Sequence, residues 1–122
     1  MSDILAVTVF PDGRTERHIK ALGLDRLQGI VDGWIEHVAA SDLAGVFINE
    51  EGKLEGLEHN QPATEAFNAL GGRLFAGDYL AGIAIFVGTT DAQGETISLT
   101  TADADRVEVV AHNWIGRQLV TW

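Results

Sequence analysis

Ile48-Asn49-Glu50-Glu51-Gly52-Lys53-Leu54-Glu55-Gly56-Leu57-Glu58-His59-Asn60-Gln61 is the stretch at which this chain of 122 residues reverses direction. Asn49 at the first turn position and Gly52 at the fourth spell a type I turn followed by a left-handed glycine, so residues 49–53 are expected to form a hairpin tip. Polar and charged side chains gather here between apolar segments, which suits a place where chemistry is presented to solvent. The candidate binding residues are Asn49, Glu50, Glu51, Gly52 and Lys53 at the tip and His59, Asn60 and Gln61 in the loop that follows. An amide offers both a donor and an acceptor, so Asn60 and Gln61 suit a nucleobase edge or a peptide backbone; the alternative is that they satisfy local backbone groups.

Upstream of the turn, Leu43 to Ile48 and Trp34 to Val38 alternate as two strands joined by a short connection at Ser41-Asp42. Leu24, Leu27, Ile30 and Val31 recur at helical spacing with Asp25 near the positive end, giving a short helix that ends at Asp32-Gly33. Ile4 to Phe10 reads as a strand turning at Pro11-Asp12-Gly13 into Arg14 to Lys20, whose charges at alternate positions suit an edge strand. Downstream, Thr64 is expected to cap a helix through Leu70, which Gly71-Gly72 terminates. Ile83 to Val87 is a continuous apolar run, the pattern of a buried central strand, and Thr89 to Glu95 is a polar loop. Thr100 or Thr101 begins the longest helical pattern, with Val107, Val110, Ala111, Trp114 and Ile115 along one face. These readings assemble into an α+β fold: residues 1–122 as one small domain, a mostly antiparallel sheet, two short helices, and a longer C-terminal helix lying across the sheet.

Composition narrows the function. With 46% apolar and 21% charged residues the chain buries a core. No cysteine is present, which excludes disulfides, thiolate catalysis and sulfur-ligated metals. Eighteen acidic residues against eight basic ones give a net charge of -10, which disfavours direct binding to nucleic acids or anionic membranes. The same charge reads as plain solubility or as mimicry of nucleic acid toward a basic host protein. Met1 to Phe10 lacks the pattern of a signal peptide, and Tyr79 to Val87 is too short to span a bilayer, so a cytoplasmic protein is expected.

The chemical motifs are sparse. Glu50 and Glu51 are adjacent in a turn and point apart into water, which is no acid/base couple. Lys53 after Gly52 lacks the glycine spacing and the Lys-Ser/Thr pair of a phosphate loop. His18, His37, His59 and His112 fall on four separate elements without metal-ligand spacing, and His18 reads as a surface residue. No Gly-x-Ser-x-Gly elbow occurs. No catalytic residue, metal or cofactor is assigned. Trp34, Trp114 and Trp122 read as core or interface aromatics, and the glycines with a terminal tryptophan are compatible with a homodimer.

Leu27-Gln28, Val31-Asp32-Gly33-Trp34-Ile35-Glu36, Ile48 to Leu54, Gly56-Leu57 and Asn60-Gln61-Pro62, followed by Gly82 to Gly88 and Ser98-Leu99-Thr100, resemble a family of small domains encoded in bacteriophages and mobile elements, domain of unknown function 3846. The likeness runs from about Ile4 to Val107. Gln61 stands where the family pattern has an arginine, which removes a positive charge from the loop. The resemblance implies a phage or mobile-element origin and an accessory role, without naming a reaction. The functional expectation is a non-enzymatic accessory protein that binds a host protein or a small signalling molecule. The alternatives are an acidic nucleic-acid mimic and a small nucleotide-processing enzyme using His59 with a carboxylate.

Overall fold

Ile4 to Val9 carries apolar residues on both sides of the chain, as a strand covered on two faces must. It forms β1 (Ile4–Val9), which lies inside a five-stranded sheet. The computed structural model describes residues 3–89 and 95–119. Trp122 and most of the polar loop read at Thr89 to Glu95 lie outside the described residues. In chain order follow β2 (Thr15–Lys20), α1 (Leu24–Val31), β3 (Ile35–Ala39), β4 (Gly45–Asn49), α2 (Gln61–Ala69), β5 (Ala84–Val87) and α3 (Thr101–Gln118). The strand order is β2-β1-β5-β4-β3, and every pairing is antiparallel. This is the α+β single domain read from the sequence, with the late apolar run at the sheet centre and β2 and β3 as its edges.

The period of two sorts the strands between two cores. Val7, Val9, Val46, Ala84 and Phe86 face α2 and α3, where they meet Phe67, Ala104, Val107 and Ala111. Ile4, Ala6, Phe47, Ile85 and Val87 point the other way, onto Leu27 and Val31 of α1. Phe67 and Phe86 are completely buried, and truncating either to alanine removes about 3–5 kcal/mol. Asp32 closes α1 in the left-handed conformation at φ 58°. Thr100 caps α3 by accepting the Asp103 N–H, as expected of that helix start.

The first hairpin needs its glycine. Gly13 sits at φ 90°, and a Cβ there would lie 2.4 Å from Cγ1 of Ile115, so α3 packs directly on the turn. Arg17 on β2 reaches α3 through Glu108 and Asp105, which hold its guanidinium still more firmly protonated than usual. No helix among the described residues is long and apolar enough to cross a membrane.

Two local readings are corrected. The turn at residues 49–53 is real, with Gly52 N–H donating to Asn49 O at 3.1 Å, but it joins no hairpin, because β4 pairs with β3 and β5 instead. The chain continues as one helical turn, Glu55 N–H to Glu51 O at 2.8 Å, which Leu57 N–H closes by donating to Gly52 O at 2.8 Å across the left-handed glycine, Gly56 at φ 72°. The second helix is capped by Asn60, four residues before Thr64, with Pro62 in its first turn where no intrahelical donor is needed. Trp34 is 70% exposed and belongs to no core, whereas Trp114 is half-buried against the Gly13 turn.

Candidate functional site

Over β4 and β3, on the face that carries α2 and α3 further along, the sheet opens into two adjoining hollows of about 320 and 330 Å³. Glu36, Ile48 and Lys53 line both, so they form one continuous groove. Its floor is Glu36, Val38 and Ile48 from the strands. One wall is the turn from Glu50 to Leu54; the other is the segment from Arg73 to Leu80.

Lys53 joins the walls. Its ammonium pairs with Asp78 and lies 4.9 Å from the centre of the Tyr79 ring, a cation–π contact. Asp78 also accepts the Tyr79 N–H at 2.8 Å, and Lys53 first, then this N–H, holds its carboxyl below the usual carboxylate range. The Lys53 and Asp78 charges cancel. Glu36, Glu50 and Glu51 are exposed and make no ion pair among the described residues, so the groove lining carries three unpaired acids against the single unpaired cation Arg73, which lines only the second hollow, with Glu36. Two large apolar side chains stand at the rim almost fully in water: Leu54 at 90% and Phe75 at 89% exposure.

The eight residues singled out in the sequence separate into two groups. Glu50, Glu51, Gly52 and Lys53 line the groove together with the edge of Asn49. Asn49 itself is 4% exposed, and its amide works as a fastener. It donates to Asp32 O at 3.2 Å and Val31 O at 3.4 Å and accepts the Glu51 N–H at 2.8 Å, tying the end of β4 to the end of α1. Asn60 is fully buried; it donates to Val9 O at 2.9 Å and Gly82 O at 2.8 Å and accepts the Ala63 N–H at 3.0 Å. Its donors and its acceptor are thus spent on the protein's own backbone, which leaves nothing to read a partner. Gln61 donates to Glu65 at 3.1 Å, and Glu65 also receives Arg117 of α3. His59 is exposed, with its ring 4.3 Å from that of Tyr79 and its backbone bridged to Ala81, and no carboxylate among the described residues bonds to it.

Glu36, Leu54, Arg73, Phe75, Asp78 and Tyr79 complete the site and were not singled out in the sequence. A signal existed for two of them: Leu54 and Phe75 are large apolar residues in turn-rich segments, without a period that would bury them. The polar groups come from β3 (Glu36) and from the segment 73–80 (Arg73, Asp78 and Tyr79), which meet only in the folded chain.

One buried pairing has reactive spacing but no access. Thr8 Oγ1 lies 2.7 Å from Nε2 of His18, the spacing of a nucleophile and its base. Thr8 is completely buried, however, so no substrate reaches it, and the half-buried His18 satisfies its hydroxyl. No group of three or more His, Asp or Glu side chains among the described residues is arranged to hold a metal ion.

The family model described as "Domain of unknown function (DUF3846)" matches residues 4–112, nearly the whole chain, and the protein belongs to that family. No curated protein and no solved structure matches it.

Proposed function

We propose that this DUF3846 member is a non-enzymatic accessory protein of a phage or mobile element, acting in the cytoplasm of a bacterial host, and that it binds a host protein through the groove over β3 and β4. One observation carries the reading: two almost fully exposed apolar side chains, Leu54 and Phe75, flank a groove whose acids Glu36, Glu50 and Glu51 are unpaired among the described residues. Exposing such side chains gains nothing for folding, and apolar groups rimmed by charge are the composition of a protein-binding surface. The uncompensated acids favour a cationic partner and raise its rate of encounter. The nucleic-acid mimic has less support, because Asp105 and Glu108 on α3 are already engaged by Arg17.

The test is a photo-cross-linking residue placed at Leu54 and, separately, at Val109, an exposed position on α3. Each protein is incubated with lysate of a bacterial host and examined by native mass spectrometry. A protein-sized adduct formed through position 54, absent through position 109 and lost in Glu36→Lys, supports the groove. Equal adducts from both positions refute it, and a mass gain of a few hundred daltons on the uncross-linked protein points instead to a small signalling molecule.

A further inference from the structure

We infer that the partner's segment binds as an additional strand on the open edge of β3, an extended stretch of chain carrying lysine or arginine; this rests on the groove reading and names how the groove is used. Glu50 N–H donates to Trp34 O at 2.9 Å, and Ala40 N–H to Ala44 O at 2.9 Å. In an antiparallel pair, bonded and non-bonded positions alternate. In the register that pairs Glu36 with Ile48 and Val38 with Val46, those two pairs are then the bonded ones. The N–H and C=O groups of Ile35, His37 and Ala39 therefore point away from the sheet, and no described residue bonds to them.

The two edges of the sheet are unequal. β2, reading Thr-Glu-Arg-His-Ile-Lys, is dense in charge and is strapped to α3 by Arg17, which protects it from pairing with another chain. β3, reading Ile-Glu-His-Val-Ala, has one charge and no such strap among the described residues. That single charge, Glu36, faces the groove. An added strand alternates its side chains between two faces, so every second one lies on the groove side, beside Glu36, Val38 and the exposed ring of Phe75. Main-chain bonds to Ile35, His37 and Ala39 supply affinity without regard to sequence, while the acids select basic side chains. Charge also decides against a second copy of this chain, which would bring another net charge of -10 against Glu36, Glu50 and Glu51.

The experiment uses the full chain, isotope-labelled, and an octapeptide alternating lysine and valine, followed by amide hydrogen exchange and chemical shifts in NMR. Without peptide, the amides of Ile35, His37 and Ala39 exchange rapidly and those of Glu36 and Val38 slowly. With peptide, the first three slow by at least tenfold, the resonances of Leu54 and Phe75 move, and Glu36→Lys weakens binding at least tenfold. Shifts at Leu54 and Phe75 without protection at positions 35, 37 and 39 overturn strand addition and leave the groove standing. Protection without those shifts keeps the edge and overturns the groove. Absence of peptide binding, or slow exchange at the three amides in free protein that has doubled in mass, overturns the inference.

Discussion

Replacing Asn60 tests how the loop beside the groove is held. The side chain is completely buried and makes three hydrogen bonds, two donated to the Val9 and Gly82 carbonyls and one accepted from the Ala63 N–H. Asn60→Ala removes an N-cap, a loss of about 1 kcal/mol. It also strips a donor from two carbonyls in the interior, at about 1–2 kcal/mol each, the lower part of the range for unpaired buried groups. The sum is roughly 3–5 kcal/mol, a large share of the roughly 5–15 kcal/mol that holds an ordinary domain folded. Asn60→Asp separates the two contributions, because aspartate caps a helix as well as asparagine but donates nothing when ionised. Near neutral pH this variant should lose at least as much as alanine, since its second oxygen faces two carbonyl oxygens. Burial among acceptors raises the pKa of the new carboxyl in the folded state. As pH rises from the unfolded carboxyl's value toward that raised value, the unfolded chain releases its proton first and stability falls; acidification should therefore restore part of it. Urea unfolding of the three proteins across pH measures all of this. Losses below about 1 kcal/mol in both variants, or an Asp variant indistinguishable from wild type, would refute the assignment of the two donor bonds.

Three further outcomes follow from the structure. A Cβ on Gly72 would sit 2.2 Å from the buried Phe67 ring, so Gly72→Ala should cost about 1–3 kcal/mol in urea unfolding, whereas Gly29→Ala in α1, with nothing within 4 Å, should gain about 0.5–1 kcal/mol. Lys53→Ala should move the Asp78 carboxyl titration, followed by NMR, up toward the ordinary value, while changing stability by less than about 1 kcal/mol because the pair is solvent-exposed. His18 and His37 are both held below the ordinary histidine value of 6.5, chiefly by burial; Lys20 adds to the shift of His18, and the polar backbone of nearby Gly88 partly opposes that of His37, whose buried Nε2 has no hydrogen-bond partner among the described residues. As pH falls through 6.5 and below, the unfolded chain takes up these protons first, so the urea midpoint should fall, and His18→Gln and His37→Gln should each flatten the dependence.

Most of the fold was legible because its signals are local. The limits of α1 could be read from Leu27, Val31 and the Asp32-Gly33 stop, and the central place of β5 from an unbroken apolar run. What sequence could not supply was the pairing. Asn49 to Gly52 is a genuine turn, but whether a turn closes a hairpin depends on a second strand, and the helical turn that ends at Gly56 removes it. The helix start at Asn60 rather than Thr64 was open to a reading that weighed Pro62 at the second helical position. Half of the groove was hidden for a different reason. Glu36 lies on β3 and Arg73 and Tyr79 on the segment between α2 and β5, and their meeting is a consequence of β3 lying outside β4 at the sheet edge.

The two asparagines among the candidate binding residues are spent on the protein's own backbone, and under the proposed function they hold in place the loop that meets the partner. Asn49 fastens the start of the loop to the end of α1, and Asn60 fastens its end to β1 and to Gly82. Between these anchors, Glu50, Glu51 and Leu54 are presented on a segment whose ends are set before any partner arrives, which reduces the ordering entropy of binding. The division of labour separates two kinds of lesion. Glu50→Lys should weaken a cationic partner and leave unfolding unchanged, because the side chain is exposed and unpaired among the described residues. Asn60→Ala should weaken the same partner only to the extent that it populates unfolded protein, and a stabilising Gly29→Ala in the same chain should recover a part of that loss and bring no relief to Glu50→Lys.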